Sequence, residues 1–310
     1  MSEHEPIHAE EHWAHKGDVR LWVYRKYCGR RDARRPLLFL VHGSSYSSRT
    51  MFDLQVPERS GYSLMDHFAG LGFEVWTMDH EGYGRSDRTA GWSDIESGVQ
   101  DLKAAMGVVE NVTGQQSAAF FGQSSGALRA ARFANFHPAH VERLAVDAFV
   151  WTGQGAPTLI KRARMLPELQ RSNVRSVDAA FYRSVFTRDH HGAAEPMLGD
   201  VVARAELEFG NTIPNGTYLD MVSKLPLVDP ALVVCPVLMV RAEHDGIATE
   251  EDLIAFYAKL PHADKQMVKL GGLAHTALLG VNRRRLYHVL QAFLTLPERF
   301  DIDGPPAAAA

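Results

Sequence analysis

The apolar positions of this chain change period several times, and each change marks an element. Residues 12–28 alternate loosely, with Trp13, Val19, Leu21, Val23 and Tyr24 as the apolar members, which predicts the strands of an N-terminal hairpin. Pro36-Leu-Leu-Phe-Leu-Val41 is a short continuous apolar run, the pattern of a strand covered on both faces. Leu64, Met65, Phe68 and Leu71 then follow helical spacing, closed by Gly72. Phe73 to Met78 reads as the next strand and runs into a glycine-containing loop, Asp79 to Ser86. From Asp94 to Thr113 the residues Ile95, Val99, Leu102, Met106 and Val109 share one helical face. Ala118 to Phe121 (strand), Ala127 to Phe136 (helix, stopped by Pro138) and Arg143 to Val150 (strand) continue the series. Alternating strands and helices of this kind predict an α/β fold with a mostly parallel central sheet flanked by helices.

The alternation lapses between residues 152 and 231. That stretch holds amphipathic helical segments near 157–170, 176–187, 196–209 and 216–224 and no strand pattern. It resumes with Pro236 to Val240 (strand), Thr249 to Leu260 (helix), Gln266 to Leu270 (strand) and a last helix over about 281–295. The expected organisation is therefore a core in two parts, residues 1–151 and 232–310, interrupted by an inserted helical cap at 152–231. The tail from Pro305 to Ala310 reads as frayed.

Composition narrows the class. The chain has 310 residues, 45% hydrophobic and 23% charged, which fits a soluble globular protein and excludes a disordered one. Its 33 basic and 37 acidic side chains give a formal charge of −4, which argues against a nucleic-acid partner. One basic cluster, Arg25, Lys26, Arg30, Arg31, Arg34 and Arg35, reads as a solvated loop between strands. Two cysteines, Cys28 and Cys235, cannot build a disulfide framework or a four-cysteine zinc site. The histidines are scattered, and the close pairs His137/His140 and His190/His191 lack a carboxylate pattern, so neither a metal nor another cofactor is expected. The acidic N-terminus shows no secretory pattern, and no apolar run approaches a membrane span; the expectation is a cytoplasmic protein without a membrane partner, open to homo-oligomerisation.

The chemistry is concentrated at strand ends. Gly122-Gln-Ser124-Ser-Gly126 fits G-x-S-x-G and lies between a buried strand and a helix, where that motif needs to be. A nucleophile on so tight a turn requires small neighbours on both sides. The turn also aims a helix N-terminus, with its unpaired N–H groups, at the reacting carbonyl. A serine hydroxyl needs a base, and His275 follows the last strand in a glycine-containing loop. The base needs an acid, and Asp245 follows the strand at 236–240; Asp147, late in strand 143–150, and Glu243 are the other carboxylates in reach of that role. For the oxyanion, the backbone N–H groups of Ser44 and Ser125 are the candidate donors, with Gly43 permitting close approach.

Together these residues resemble the α/β-hydrolase superfamily. His42-Gly-Ser-Ser45 looks like its oxyanion loop, the Asp79-x-x-Gly82-x-Gly84-x-Ser86 segment like the loop after its following strand, and Gly122 to Gly126 like its nucleophile elbow. Asp245-Gly246 and His275 match its acid and base, in the chain order of the fold. The resemblance covers about residues 12–151 and 232–296 and is greatest to capped serine carboxylesterases, including those acting on monoesters of aromatic acids. It implies the α/β-hydrolase fold, an acyl-enzyme mechanism, and a small-molecule ester and water as partners. A serine at the elbow, not an aspartate, sets the chain apart from epoxide hydrolases and haloalkane dehalogenases of this fold. A thioesterase, a lactonase or a C–C bond hydrolase would use the same triad, and a non-catalytic ligand-binding protein of this fold is the reading from another class.

His42 and His80 read as structural histidines that orient their loops, and Asp79 as a tie between loops. Tyr46, Trp151 and Phe181 are candidate pocket residues. Lys161, Arg162 and Arg164 read as a solvated helix face, with steering of an anionic substrate as the alternative.

Overall fold

A computed structural model describes residues 5–297; the tail at 305–310 lies outside the described residues. Among the described residues ten strands are present: β1 (Ile7–Lys16), β2 (Val19–Cys28), β3 (Leu37–Val41), β4 (Glu74–Met78), β5 (Ala118–Gln123), β6 (Val141–Asp147), β7 (Val174–Ser176), β8 (Thr212–Pro214), β9 (Val237–Ala242) and β10 (Lys265–Leu270). Eight of them form one sheet in the order β1-β2-β4-β3-β5-β6-β9-β10, with β7 and β8 paired separately. β1 runs antiparallel to β2, and β2 to β4; from β4 onward all pairs are parallel. The C-terminal ends of β3, β5, β6, β9 and β10 therefore share one edge, where open parallel sheets place their ligands.

The central strands are apolar on both faces because both are covered. Phe39, Val41, Phe120, Val146 and Met239 enter one core cluster, while Leu38, Leu40, Phe121, Ala145, Leu238 and Val240 enter the other. The first cluster packs under the helices Ile95–Thr113 and Ser125–Phe136, the second under Leu64–Gly70 and Arg283–Leu294. The long helix starts where Asp94 accepts the Ser97 N–H at 2.8 Å and ends at Gly114, whose φ of 71° is the left-handed conformation that stops a helix.

Between β6 and β9 the chain leaves the sheet. Helices Pro157–Ala163, Leu166–Arg171, Ala179–Thr187, Leu198–Leu207 and Gly216–Ser223 fill the interval, as the periodicity suggests. The short antiparallel pair β7–β8 is a departure from the strandless reading. Three residues per strand give too little alternation to register as a pattern, and the pairing is between Val174 and Pro214, Arg175 and Ile213, Ser176 and Thr212. The insertion is pinned at its start by Asp252, whose carboxylate accepts the N–H groups of Trp151 (2.9 Å), Thr152 (3.0 Å) and Gly153 (3.3 Å). On its return, Asp229 and Asn135 exchange two hydrogen bonds, 2.9 and 3.0 Å.

The basic cluster is not a solvated loop. Arg25 and Lys26 lie inside β2 and are buried, with Arg25 held by Glu10 (2.7 Å) and Glu74 (2.6 Å) and Lys26 by Asp53 and Asp66, both at 2.7 Å. Arg35 is buried too and caps the carbonyls of Ala33, Cys28 and Arg30. A count of basic residues cannot see carboxylates distant in sequence; only Arg30, Arg31 and Arg34 face solvent as read. No helix among the described residues is long and apolar enough to cross a membrane.

Candidate active site

β5 delivers Ser124 at a forced turn. Its φ of 59° and ψ of −126° are backbone angles that a side-chain-bearing residue rarely adopts. The turn is over-determined by its surroundings. The Ser124 N–H donates to the Asp147 carbonyl at 2.9 Å, and its carbonyl accepts from Ala127 at 2.9 Å in the helix that follows. The flanking glycines are a steric requirement. A Cβ on Gly122 would stand 2.5 Å from the Gly126 carbonyl oxygen, and one on Gly126 would stand 2.6 Å from the His42 carbonyl oxygen.

The loop after β3 approaches this turn closely. A Cβ on Gly43 would lie 3.0 Å from the Gln123 carbonyl oxygen and 3.2 Å from the Ser124 Cβ. His42 holds the loop: its Nδ1–H donates to the Gly43 carbonyl at 2.7 Å and its Nε2 accepts the His80 N–H at 3.0 Å. His80 in turn bonds Asp101 at 3.0 Å. Both rings are fully buried, which drives their pKa values well below the usual range and suits neutral, structural imidazoles. Asp79 ties the same loop to the next one, accepting from Ser48 N–H (2.9 Å), Ser48 Oγ (2.6 Å) and Arg85 N–H (2.9 Å). The Ser44 carbonyl accepts from Arg175 at 3.1 Å and Tyr83 at 3.4 Å. Among the described residues, the N–H groups of Ser44 and Ser125 donate to no acceptor. Two free donors beside a serine at a helix N-terminus can stabilise an oxyanion.

Asp245 and His275 meet. His275 Nδ1 and Asp245 Oδ1 are 2.9 Å apart, and the same carboxylate oxygen accepts the Ile247 N–H at 3.0 Å. Burial opposes ionisation of Asp245, but His275, the Ile247 N–H and the charge of Arg188 outweigh it and hold the carboxyl below its usual range. Gln123, the unspecified residue before Ser124 in the G-x-S-x-G pattern, reaches across with Nε2 to the His275 carbonyl at 2.6 Å. This bond connects the serine turn to the histidine loop. Among the described residues, Ser124 Oγ makes no hydrogen bond to His275. Ser124 and His275 are each 8% exposed and Asp245 4%.

Asp147 occupies the other position considered for the acid. It is fully buried, and neither carboxylate oxygen has a hydrogen-bond partner. Burial and the nearby charge of Asp245 push its pKa well above the carboxylate range. Of the two carboxylates, Asp245 is the one bonded to the His275 ring. Glu243 accepts the Gly272 N–H at 2.7 Å and lies 3.4 Å from His244 Nε2, with no bond to His275 among the described residues.

Elements of the insertion close on this edge. The Thr158 N–H donates to the Gly246 carbonyl at 3.1 Å, and His190 stacks on His244 with ring centres 3.8 Å apart. Tyr46 is buried and stacks near Phe186, with centroids 6.5 Å apart. Phe181 is half-buried and packs on Tyr182. Trp151 is occupied differently: its indole N–H donates to the Val228 carbonyl at 3.1 Å and its ring packs on Phe256, which makes it an anchor for the insertion. A cleft of about 340 Å³ beside Trp22, Arg49, Asp53 and Phe209 contains none of Ser124, Asp245 and His275. Arg162 overturns the reading of 161–164 as one solvated face. Lys161 and Arg164 are exposed, but Arg162 is 7% exposed, because the helix Pro157–Ala163 turns that residue toward Gly216–Ser223. Gln123, Arg188 and Tyr218 carry no sequence signal of their own and become site residues only through the fold.

The chain matches the family described as serine aminopeptidase, S33, over residues 34–280. It is similar to a hydrolase from Pseudomonas aeruginosa PA01 (TM-score 0.70, 17% identity, 92% of this chain and 98% of that one). It is also similar to E-2-(acetamidomethylene)succinate hydrolase (TM-score 0.68, 17% identity, 93% and 99%). A stretch of 107 residues is 32% identical to the lipase lipl-3 of Caenorhabditis elegans, covering 31% of this chain and 26% of that relative, so the chain matches about a quarter of the relative's length. The parallel sheet, the serine turn and the match over most of the chain agree, and the chain belongs to the serine aminopeptidase S33 family of α/β-hydrolases.

Proposed function

We propose that this α/β-hydrolase cleaves a carboxylic ester of a small organic molecule through an acyl-enzyme. The observation that carries the reading is the strained Ser124 turn beside the bonded pair of Asp245 and His275. Asp245 keeps the proton of His275 on Nδ1, so Nε2 is free to act as a base. Nε2 takes the Ser124 proton as Oγ attacks the ester carbonyl. The Ser44 and Ser125 N–H groups receive the oxyanion. His275 then returns the proton to the departing alcohol, leaving Ser124 acylated. Water, deprotonated by the same nitrogen, attacks the acyl group and releases the acid. Residues 152–231 act as a cap that shapes the space for both halves of the substrate, with Tyr46 and Phe181 as candidate walls.

Replacement of Ser124 by Ala tests this. Hydrolysis of p-nitrophenyl acetate and butyrate should vanish while the melting temperature stays within about two degrees, a surface-sized change. Equal turnover by the variant would contradict the reading.

A further inference from the structure

Four side chains of the insertion, none used in the proposed mechanism, meet beside the Ser44 loop. Arg162 and Arg175 both lie over the Tyr218 ring, their guanidinium carbons 3.6 and 3.8 Å from its centre. Arg188 is the third cation. Burial would push the Tyr218 hydroxyl up, yet the three guanidiniums, with the Ser45 hydroxyl, pull it down to about 6.

The three arginines are not equally committed. Arg175 donates from Nη1 to the Pro214 carbonyl (2.7 Å) and Asn215 Oδ1 (3.1 Å) and from Nη2 to the Ser44 carbonyl (3.1 Å), so both terminal nitrogens are engaged and, among the described residues, only its buried Nε is without a partner. Arg188 pairs with Asp189 at 3.2 Å, and its charge reaches Asp245. Arg162 is buried with no oxygen acceptor among the described residues; its polar contact is the Met221 sulfur at 4.0 Å. Its neighbours Lys161 and Arg164 face solvent, so the burial of Arg162 is particular to its position. None of the Arg162 nitrogens is among the fully buried unpartnered atoms, so the unused donors still open onto accessible space where an acceptor can reach them, and the planar fork matches two oxygens of one anion. The cluster extends from the Ser44 peptide on one side to the neighbourhood of Asp245 on the other, so such an acceptor would arrive with the substrate.

We propose that Arg162, backed by Arg188 and Arg175, binds an oxyanionic group of the substrate, a carboxylate or a phosphate, so that the ester cleaved at Ser124 belongs to a negatively charged molecule. This rests on the reading of Ser124 as the acyl-transfer nucleophile. A neutral ester of the same shape leaves the Arg162 donors unmatched and is discriminated against for that reason.

Three matched pairs test it. They are mono-4-nitrophenyl glutarate against 4-nitrophenyl pentanoate, 4-acetoxybenzoate against 4-acetoxybenzamide, and 4-acetoxyphenyl phosphate against 4-acetoxyanisole. The first places the charge on the acyl side, the second on the alcohol side, and the third replaces carboxylate by phosphate. The expected result is a kcat/KM for at least one charged member about tenfold or more above its neutral partner, a ratio that Arg162→Gln lowers about tenfold and Arg162→Lys partly restores. Ratios near or below one in all three pairs, or a preference that survives Arg162→Gln, overturn the proposal. If the Arg162 variants do not fold, the wild type decides: glutarate, benzoate or phosphate should inhibit neutral-ester hydrolysis competitively where the corresponding amides do not, and equal inhibition overturns it. Labelling of Ser124 by a fluorophosphonate separates the two levels. A protein that labels but shows no charge preference loses only the anion site; one that neither labels nor hydrolyses any ester loses both.

Discussion

Gln123 Nε2 donates a 2.6 Å hydrogen bond to the backbone carbonyl of His275. The two residues are 152 positions apart, and one immediately precedes Ser124, the proposed nucleophile, while the other is the proposed base. The bond fixes the histidine loop to the serine turn from below, and Asp245 fixes the same residue through its ring. Position is thereby enforced on both the backbone and the side chain of His275.

Replacing Gln123 by Met keeps the side-chain length and removes the donor. The serine, the acid and the imidazole all remain, so the cost should fall on alignment. We expect kcat to fall about 10- to 100-fold with KM within about threefold, since small misplacements of a base are costly. Steady-state kinetics on p-nitrophenyl butyrate checks this; an unchanged kcat would show that the histidine loop holds itself.

Asp245 and Asp147 make opposite predictions. Asp245→Asn disturbs the imidazole tautomer and should lower kcat by about 10⁴-fold. Asp147→Asn replaces a buried carboxyl by a near-isostere and should leave kcat within about threefold while raising stability as pH climbs above the ordinary carboxylate range. Burial and the charge of Asp245 raise the Asp147 pKa well above the usual carboxylate range, so the folded chain holds this proton more tightly than the unfolded one, a linkage that the amide does not have. Kinetics of the two variants side by side decides which carboxylate is the acid.

Glu206 sets a pH signature of the fold. It is buried, accepts from Ser47 N–H (3.0 Å) and Ser47 Oγ (2.6 Å), and burial raises its pKa from 4.5 to about 7. The folded state therefore binds this proton more tightly than the unfolded chain. Its contribution is neutral below pH 4.5, turns unfavourable as pH rises toward 7, and levels above that, at roughly 3 kcal/mol. Glu206→Gln should match the wild-type melting temperature near pH 4.5 and exceed it by several degrees at pH 8. Thermal melts at the two pH values check this, and an equal shift at both would contradict it.

The sheet and the reactive strand ends were legible because each announces itself locally. A five-residue apolar run such as Leu37 to Val41 can hardly be other than a buried strand, and G-x-S-x-G between a strand and a helix has few other uses. What escaped depends on partners distant in sequence. Arg25 and Lys26 look solvated until Glu74, Asp53 and Asp66 are brought to them, and Arg162 until Tyr218 stacks on it. The strands β7 and β8 exist through their mutual pairing, which neither three-residue segment encodes alone. The partner of the Trp151 indole, the Val228 carbonyl, was likewise out of reach of the sequence, because aromatic character does not reveal direction.

The central claim is that Ser124 becomes acylated. Pre-steady-state hydrolysis of p-nitrophenyl acetate by the wild type and by Ser124→Ala addresses it most directly. The account predicts a burst of nitrophenol close to one equivalent of enzyme in the wild type and none in the variant, with an acyl mass adduct on the peptide containing Ser124 after acid quench. Linear product formation without an adduct, or a burst that persists in the variant, would contradict it.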